Sequence, residues 1–170
     1  MTNDDRLTAL ERRMTELEAR VPPPGSRAAE LAPAPDSEVF WALQGLRDRV
    51  EAPGAVMLVG QVSTPDGREA QWQEGAAVGD LLADDWADAV EVLAALGHPV
   101  RLRLLHRVLS GAATVNELMA TDGVGTSGQV YHHLRQLVAA GWLRAVGGGR
   151  YEVPVARVVP LLTTIVGARR

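Results

Sequence analysis

From position 97 onward, glycine and proline divide the chain into short pieces, and that punctuation constrains the fold more than any other feature of the sequence. Gly97 closes a helical stretch beginning near Asp85, in which Trp86, Val90, Leu93 and Leu96 share a face. Pro99 suits the first position of the next helix, where its missing N–H would have no partner anyway. Leu102, Leu105, Val108 and Leu109 are the apolar side of that helix, and Gly111 stops it. Thr114 caps a short helix, with Glu117 at the capping-box position. Asp122-Gly123-Val124-Gly125 is a turn, Thr126 or Ser127 caps a second helix running to Ala140, and Gly141 closes it. Trp142 to Val146 and Arg150 to Val153 then read as a hairpin around Gly147-Gly148-Gly149, and Pro154 starts a last helix from Val155 to Gly167. A short capped helix, a glycine turn and a longer helix make a helix-turn-helix pattern, and a hairpin directly after it is a wing.

The second helix carries two different faces. At about 100° per residue, Val130, Leu134, Leu137 and Val138 form a buried stripe. The opposite side presents Gly128, Gln129, His132, Arg135 and Gln136, with Ser127 at the helix start and Tyr131 on the flank. Those are hydrogen-bonding side chains suited to base edges and phosphates, and Gly128 would let the helix approach closely. Arg144 and Arg150 flank the wing, where they would meet phosphate or the minor groove. A solvated polar surface is the alternative reading of this face. His133 projects nearer the core and reads as structural, while for two of Arg101, Arg103 and Arg107 solvation of their own helix is the expected use.

Three ordered blocks in this region resemble the ArsR/SmtB family of winged-helix repressors. Leu96-Gly97-His98-Pro99-Val100-Arg101-Leu102-Arg103-Leu104-Leu105 resembles the family's opening motif. Thr126-Ser127-Gly128-Gln129-Val130-Tyr131-His132-His133-Leu134-Arg135-Gln136-Leu137 is similar to its recognition helix, and Ala140-Gly141-Trp142-Leu143 to the segment leading into its wing. The resemblance spans residues 85–168 at most and leaves the preceding part of the chain outside it. It implies that the last helix dimerises, through Val158, Val159, Leu162 and Ile165. Pro160 is expected to bend that helix. The family's metal ligands are missing: the short helix Thr114-Val115-Asn116-Glu117-Leu118-Met119-Ala120 has no cysteine, and the last helix has no Asp/His/Glu set. No metal or other cofactor is therefore expected.

Charge divides unevenly. Residues 1–95 hold 8 Arg against 18 Asp and Glu, whereas residues 96–170 hold 9 Arg against 3 acids, Glu117, Asp122 and Glu152. A basic half beside an acidic one suggests that one end alone meets a polyanion; an unevenly charged solvated surface is the other reading. The sequence has no cysteine, which excludes disulfides, thiolate metal sites and a cysteine nucleophile. No apolar run approaches the roughly 20 residues needed to span a bilayer, and the first residues, Met1 to Arg6, are acidic and do not read as a secretory signal. A cytoplasmic protein without a membrane partner fits. No phosphate loop, nucleophile elbow or paired carboxylate is present, so an enzyme is not expected.

Leu7, Leu10, Met14, Leu17 and Val21 are spaced as a heptad stripe. With Leu7 at the first position, Arg6 faces Glu11 and Arg13 faces Glu18 across a parallel pair, whereas an antiparallel pair would set like charges together. A single amphipathic helix lying on the body is the alternative. Proline and glycine then mark a linker over residues 22–36, and Asp36 or Ser37 can cap a helix with Phe40, Leu43, Leu46 and Val50 on one face. Ala55 to Val62 is a strand-like run, Thr64-Pro65-Asp66-Gly67 a turn, and Arg68 to Glu74 an alternating strand with Ala70 and Trp72 on one side. Phe40, Trp41 and Trp72 would line a ligand pocket or pack in a core.

The expectation is a mostly α fold with a small β part (α+β). A coiled-coil helix over 1–21, a linker over 22–36, and a helix plus hairpin over 37–84 for dimerisation or sensing would precede a winged helix-turn-helix over 85–170. The function expected is that of a homodimeric, sequence-specific regulator of transcription, of the repressor type and not metal-responsive, with double-stranded DNA as its partner. The alternatives are a protein-interaction module that has lost DNA affinity, and a regulator with a small-molecule effector near the hairpin.

Overall fold

The computed structural model describes Arg12, Arg13 and residues 39–169. Its contacts divide the chain into two units, Met1–Arg49 and Val50–Arg170. The hairpin falls in the same unit as everything that follows it, for a reason that lies in the last helix. In the first unit, helix α1 spans Trp41–Arg47, and the Gln44 side chain donates to Asp48 at 3.2 Å. Leu7, Leu10, Met14 and Leu17 lie outside the described residues.

The second unit is α+β. Strands β1 (Ala55–Ser63) and β2 (Glu69–Ala77) pair antiparallel, with Gly60 opposite Trp72 and Val62 opposite Ala70. Their turn is closed by the Thr64 N–H donating to Arg68 O at 2.9 Å and the Gly67 N–H donating to Thr64 O at 2.8 Å. Proline at the second turn position favours this bend. A short helix not anticipated from the sequence, α2 (Val78–Ala83), follows, and a 3-10 turn, Trp86–Ala89, leads into α3 (Val90–Leu96). Next come α4 (Pro99–Leu109), α5 (Val115–Met119), α6 (Ser127–Ala139), β3 (Arg144–Gly147), β4 (Arg150–Glu152) and α7 (Val155–Ala168).

The core sits where α4, α5 and α6 converge with the end of β4. Leu104, Leu118, Val130, Leu134, Leu137 and Val153 are fully buried there. The stripe expected on α6 is thus present in three of its four positions, and Val138 lies at the surface. Trp142, also buried, donates its indole N–H to Val92 O at 2.8 Å, which ties α3 to the segment after α6, and the Arg157 guanidinium lies 5.2 Å from its ring centroid.

Helix α7, which the resemblance implies would dimerise, has β1 and β2 lying against it: Val158 and Val159 are buried within the chain, and Leu162 and Ile165 are half-buried against the same core. The approach is close because Gly60 has no side chain: a Cβ there would stand 2.7 Å from Val159 Cγ1. Of the residues expected to share a face, Trp86, Val90 and Leu93 are 65%, 58% and 56% exposed, and Leu96 alone of that set is buried. The 3-10 turn breaks the single helix on which that face was drawn. Trp72, 36% exposed, is likewise no core residue, and neither Phe40 nor Trp41 is buried.

Candidate nucleic-acid interface

Helix α5 begins with a reciprocal cap. The Thr114 N–H and hydroxyl donate to Glu117 Oε2 at 2.8 Å each, and the Ala113 N–H donates to it at 3.0 Å. These donors, the Thr114 amide foremost, hold the Glu117 carboxyl below its ordinary range, with the Arg150 charge adding to the effect. Helix α6 begins the same way: the Thr126 N–H donates to Gln129 Oε1 at 2.8 Å and the Thr126 hydroxyl at 3.2 Å. The Gln129 side chain folds back over Gly125, where φ is +87° and a Cβ would stand in the way of Oε1.

That cap changes the reading of Gln129. The sequence assigned it to base edges as an outward residue, but its acceptor oxygen is engaged by its own helix start. Gln136, placed on the same outward face, accepts from Arg101 through its Oε1. Arg144 is paired with Glu152, its cross-strand neighbour, with Nε donating to Oε1 at 3.0 Å. The other members of the set, exposed like these three, are Ser127, Gly128, Tyr131, His132 and Arg135 along α6 and Arg150 at the start of β4. Arg135 donates to Tyr131 O at 3.3 Å, and Arg150 makes no ion pair among the described residues.

The β3–β4 hairpin is held beside α5. The Tyr151 N–H donates to Ala113 O at 2.8 Å, the Val115 N–H donates to Gly149 O at 3.0 Å, and Thr114 bridges to Arg150. These bonds fix the start of α5 and the hairpin as one edge, with the exposed turns of α6 following across the 120–126 turn.

Behind this surface, residues read as solvating are structural. Arg101 donates to Ala95 O at 2.6 Å, to Ala94 O at 2.7 Å and to Gln136, tying the end of α3 to α6 across a groove of about 320 Å³ lined by Glu91, Ala94, Ala95 and Ala139. Arg103 donates to Gly123 O at 3.1 Å and so holds the turn before α6. Periodicity could not reveal either role, because Arg101 meets Gln136 and Arg103 meets Gly123, 35 and 20 residues away, only in the fold. His133 sits inward as expected, with its ring centroid 4.6 Å from that of His98 and 5.6 Å from that of His132. Burial, and then the charges of His98, Arg101 and His132, push its pKa down. The His98 Nδ1 accepts from the Val100 N–H at 3.2 Å and caps α4.

Among the described residues, no group of three or more His, Asp or Glu converges as metal ligands would, and no helix is long and apolar enough to cross a membrane. No protein-family model matches the chain, and no curated protein or solved structure matches it either.

Proposed function

We propose that residues 85–169 form a winged helix-turn-helix and that the chain is a homodimeric, sequence-specific DNA-binding regulator of transcription, of the repressor type, that works without a metal. The observation that carries this reading is the pairing of two features on α6. Its inward stripe, Val130, Leu134 and Leu137, is fully buried, while Ser127, Gly128, Tyr131 and His132 stand exposed on its first turns and Arg135 one turn further on. A helix N-terminal half bearing hydrogen-bonding side chains is the part that enters a major groove in helix-turn-helix proteins. The hairpin beside it offers Arg150 next to three exposed glycines, which suits a backbone contact. His132 and Tyr131 take the base-reading role, with Arg135 on phosphate; Gln129 takes the role of fixing the helix start. Dimerisation is assigned to the heptad positions Leu7, Leu10, Met14 and Leu17, since the α7 residues already have partners within the chain. Selection of bound fragments from genomic DNA tests the reading: a palindromic consensus supports it, and recovery of unselected sequence overturns it.

A second reading is favoured by a separate surface. Leu82, Trp86, Val90 and Leu93 are all more than half exposed, and Asp80, Asp84, Asp85, Asp88 and Glu91 lie along the same stretch without an ion pair among the described residues. An apolar stripe among unpaired acids suits contact with a protein carrying basic residues. Binding of DNA and of a protein can coexist on this chain.

A further inference from the structure

The turn between β1 and β2 reaches the β3–β4 hairpin through one side chain. Arg68 Nε lies 2.7 Å from Asp66 Oδ2, and its NH1 donates to Val153 O at 3.1 Å and stands 3.6 Å from Glu152 Oε2. The other oxygen of Glu152 accepts from Arg144 on β3. Asp66, Arg68, Glu152 and Arg144 therefore form a ladder of alternating charge that runs from the first hairpin to the second. Arg68 and Glu152 are its most enclosed members, with side chains 28% and 23% exposed.

The platform from which Arg68 reaches is firm. Thr64 is buried; its N–H donates to Arg68 O, and its hydroxyl accepts from the Arg68 N–H at 3.1 Å while contacting Asp66. The Thr64 hydroxyl is the main cause of a lowered Asp66 pKa, which keeps that carboxylate charged beside Arg68. Strand β4 is gripped on one edge by β3 and on the other by residues 113–115. Its far end, at Glu152 and Val153, is the part that Arg68 holds.

We propose that Arg68 is a positioning residue for the nucleic-acid contact of the β3–β4 hairpin, although it lies outside every element that would touch DNA. It anchors the end of β4 and, by sharing Glu152, keeps that carboxylate from neutralising Arg144 alone. The second part rests on the DNA-binding reading, and the first does not. Without Arg68, the only guanidinium left against Glu152 among the described residues is Arg144, so the hairpin is both looser and less positive toward phosphate.

The test uses the full chain and its Arg68→Ala and Arg68→Lys variants, first by amide hydrogen exchange and then by titration with a duplex oligonucleotide. Arg68→Ala is expected to speed exchange at residues 144–152 by roughly threefold to tenfold, with α4 and α6 amides unchanged. Arg68→Lys keeps the charge and recovers part of the protection. On DNA, Arg68→Ala weakens every duplex several-fold without altering base preference and makes the salt slope shallower by about one contact. Adding Glu152→Gln to Arg68→Ala then frees Arg144 and restores affinity, although the hairpin stays loose. Unchanged exchange at 144–152, or faster exchange spread evenly over the core helices, overturns the positioning role. If the wild-type chain binds no duplex while the exchange effect is local, the DNA-binding reading fails and the anchoring of β4 stands.

Discussion

Gln129 is where helical periodicity and local chemistry part company. Periodicity counts it as an outward residue like His132, but it stands three residues after the cap Thr126 and spends its acceptor there. Gln129→Ala is accordingly expected to lower the thermal midpoint, with a cost of about 1 kcal/mol, as lost caps usually do. His132→Ala is expected to leave stability alone and to lose about 1–3 kcal/mol of discrimination at one base pair per half-site, measured on a panel of single-mismatch duplexes. Arg150→Ala should weaken all duplexes alike. The inward His133 gives a pH dependence of definite sign. Its folded pKa is lowered by burial and by His98, Arg101 and His132, so as pH falls below the ordinary value of 6.5 the unfolded chain takes the proton first. The stability contributed is complete above pH 6.5 and is lost as pH falls from there toward the folded pKa. Chemical denaturation at a series of pH values should show this acid slope in the wild type and a reduced one in His133→Leu. At this scale the caps Thr114 and Glu117 were legible because their signal lies within four residues. The partners of Arg101 and Gln136 were not, because they lie 35 residues apart and meet only in the fold.

At the scale of elements, the order of helices and strands after Pro99 was legible down to one or two residues at most ends, because glycine and proline set the stops. The partner of each face was not. An apolar helix such as α7 announces that it needs burial, but periodicity is silent on whether a neighbouring hairpin or a second chain supplies it. Here Gly60 decides: a strand with a glycine at the crossing point can lie directly on Val159. Gly60→Ala should therefore cost about 1–3 kcal/mol, as overpacking does, and a lowered thermal midpoint with unchanged secondary structure by circular dichroism would bear this out. An unchanged midpoint would mean that β1 does not rest on α7 as described. The exposed Trp86, Val90 and Leu93 show the converse limit, since spacing places them on one apolar face but says nothing of whether that face is covered.

For the whole molecule, the dominant feature is the separation of charge, with 9 Arg against 3 acids after residue 95 and the reverse balance before it. The candidate DNA-contacting residues all fall in the basic part. Dimer formation is assigned to the acidic part, and a Leu10→Asp, Leu17→Asp double variant should sediment as a monomer and bind an operator duplex more weakly than the wild type while keeping its fold. Equal sedimentation of variant and wild type as dimers would move the interface elsewhere. Whether the basic part grips a phosphate backbone is decided by titrating a duplex at a series of salt concentrations. Log affinity is expected to fall linearly with log salt, by about 0.9 for each phosphate neutralised, and Arg150→Ala to reduce the slope by about one such step. An affinity that does not change with salt, or a slope that Arg150→Ala leaves untouched, would contradict such a grip.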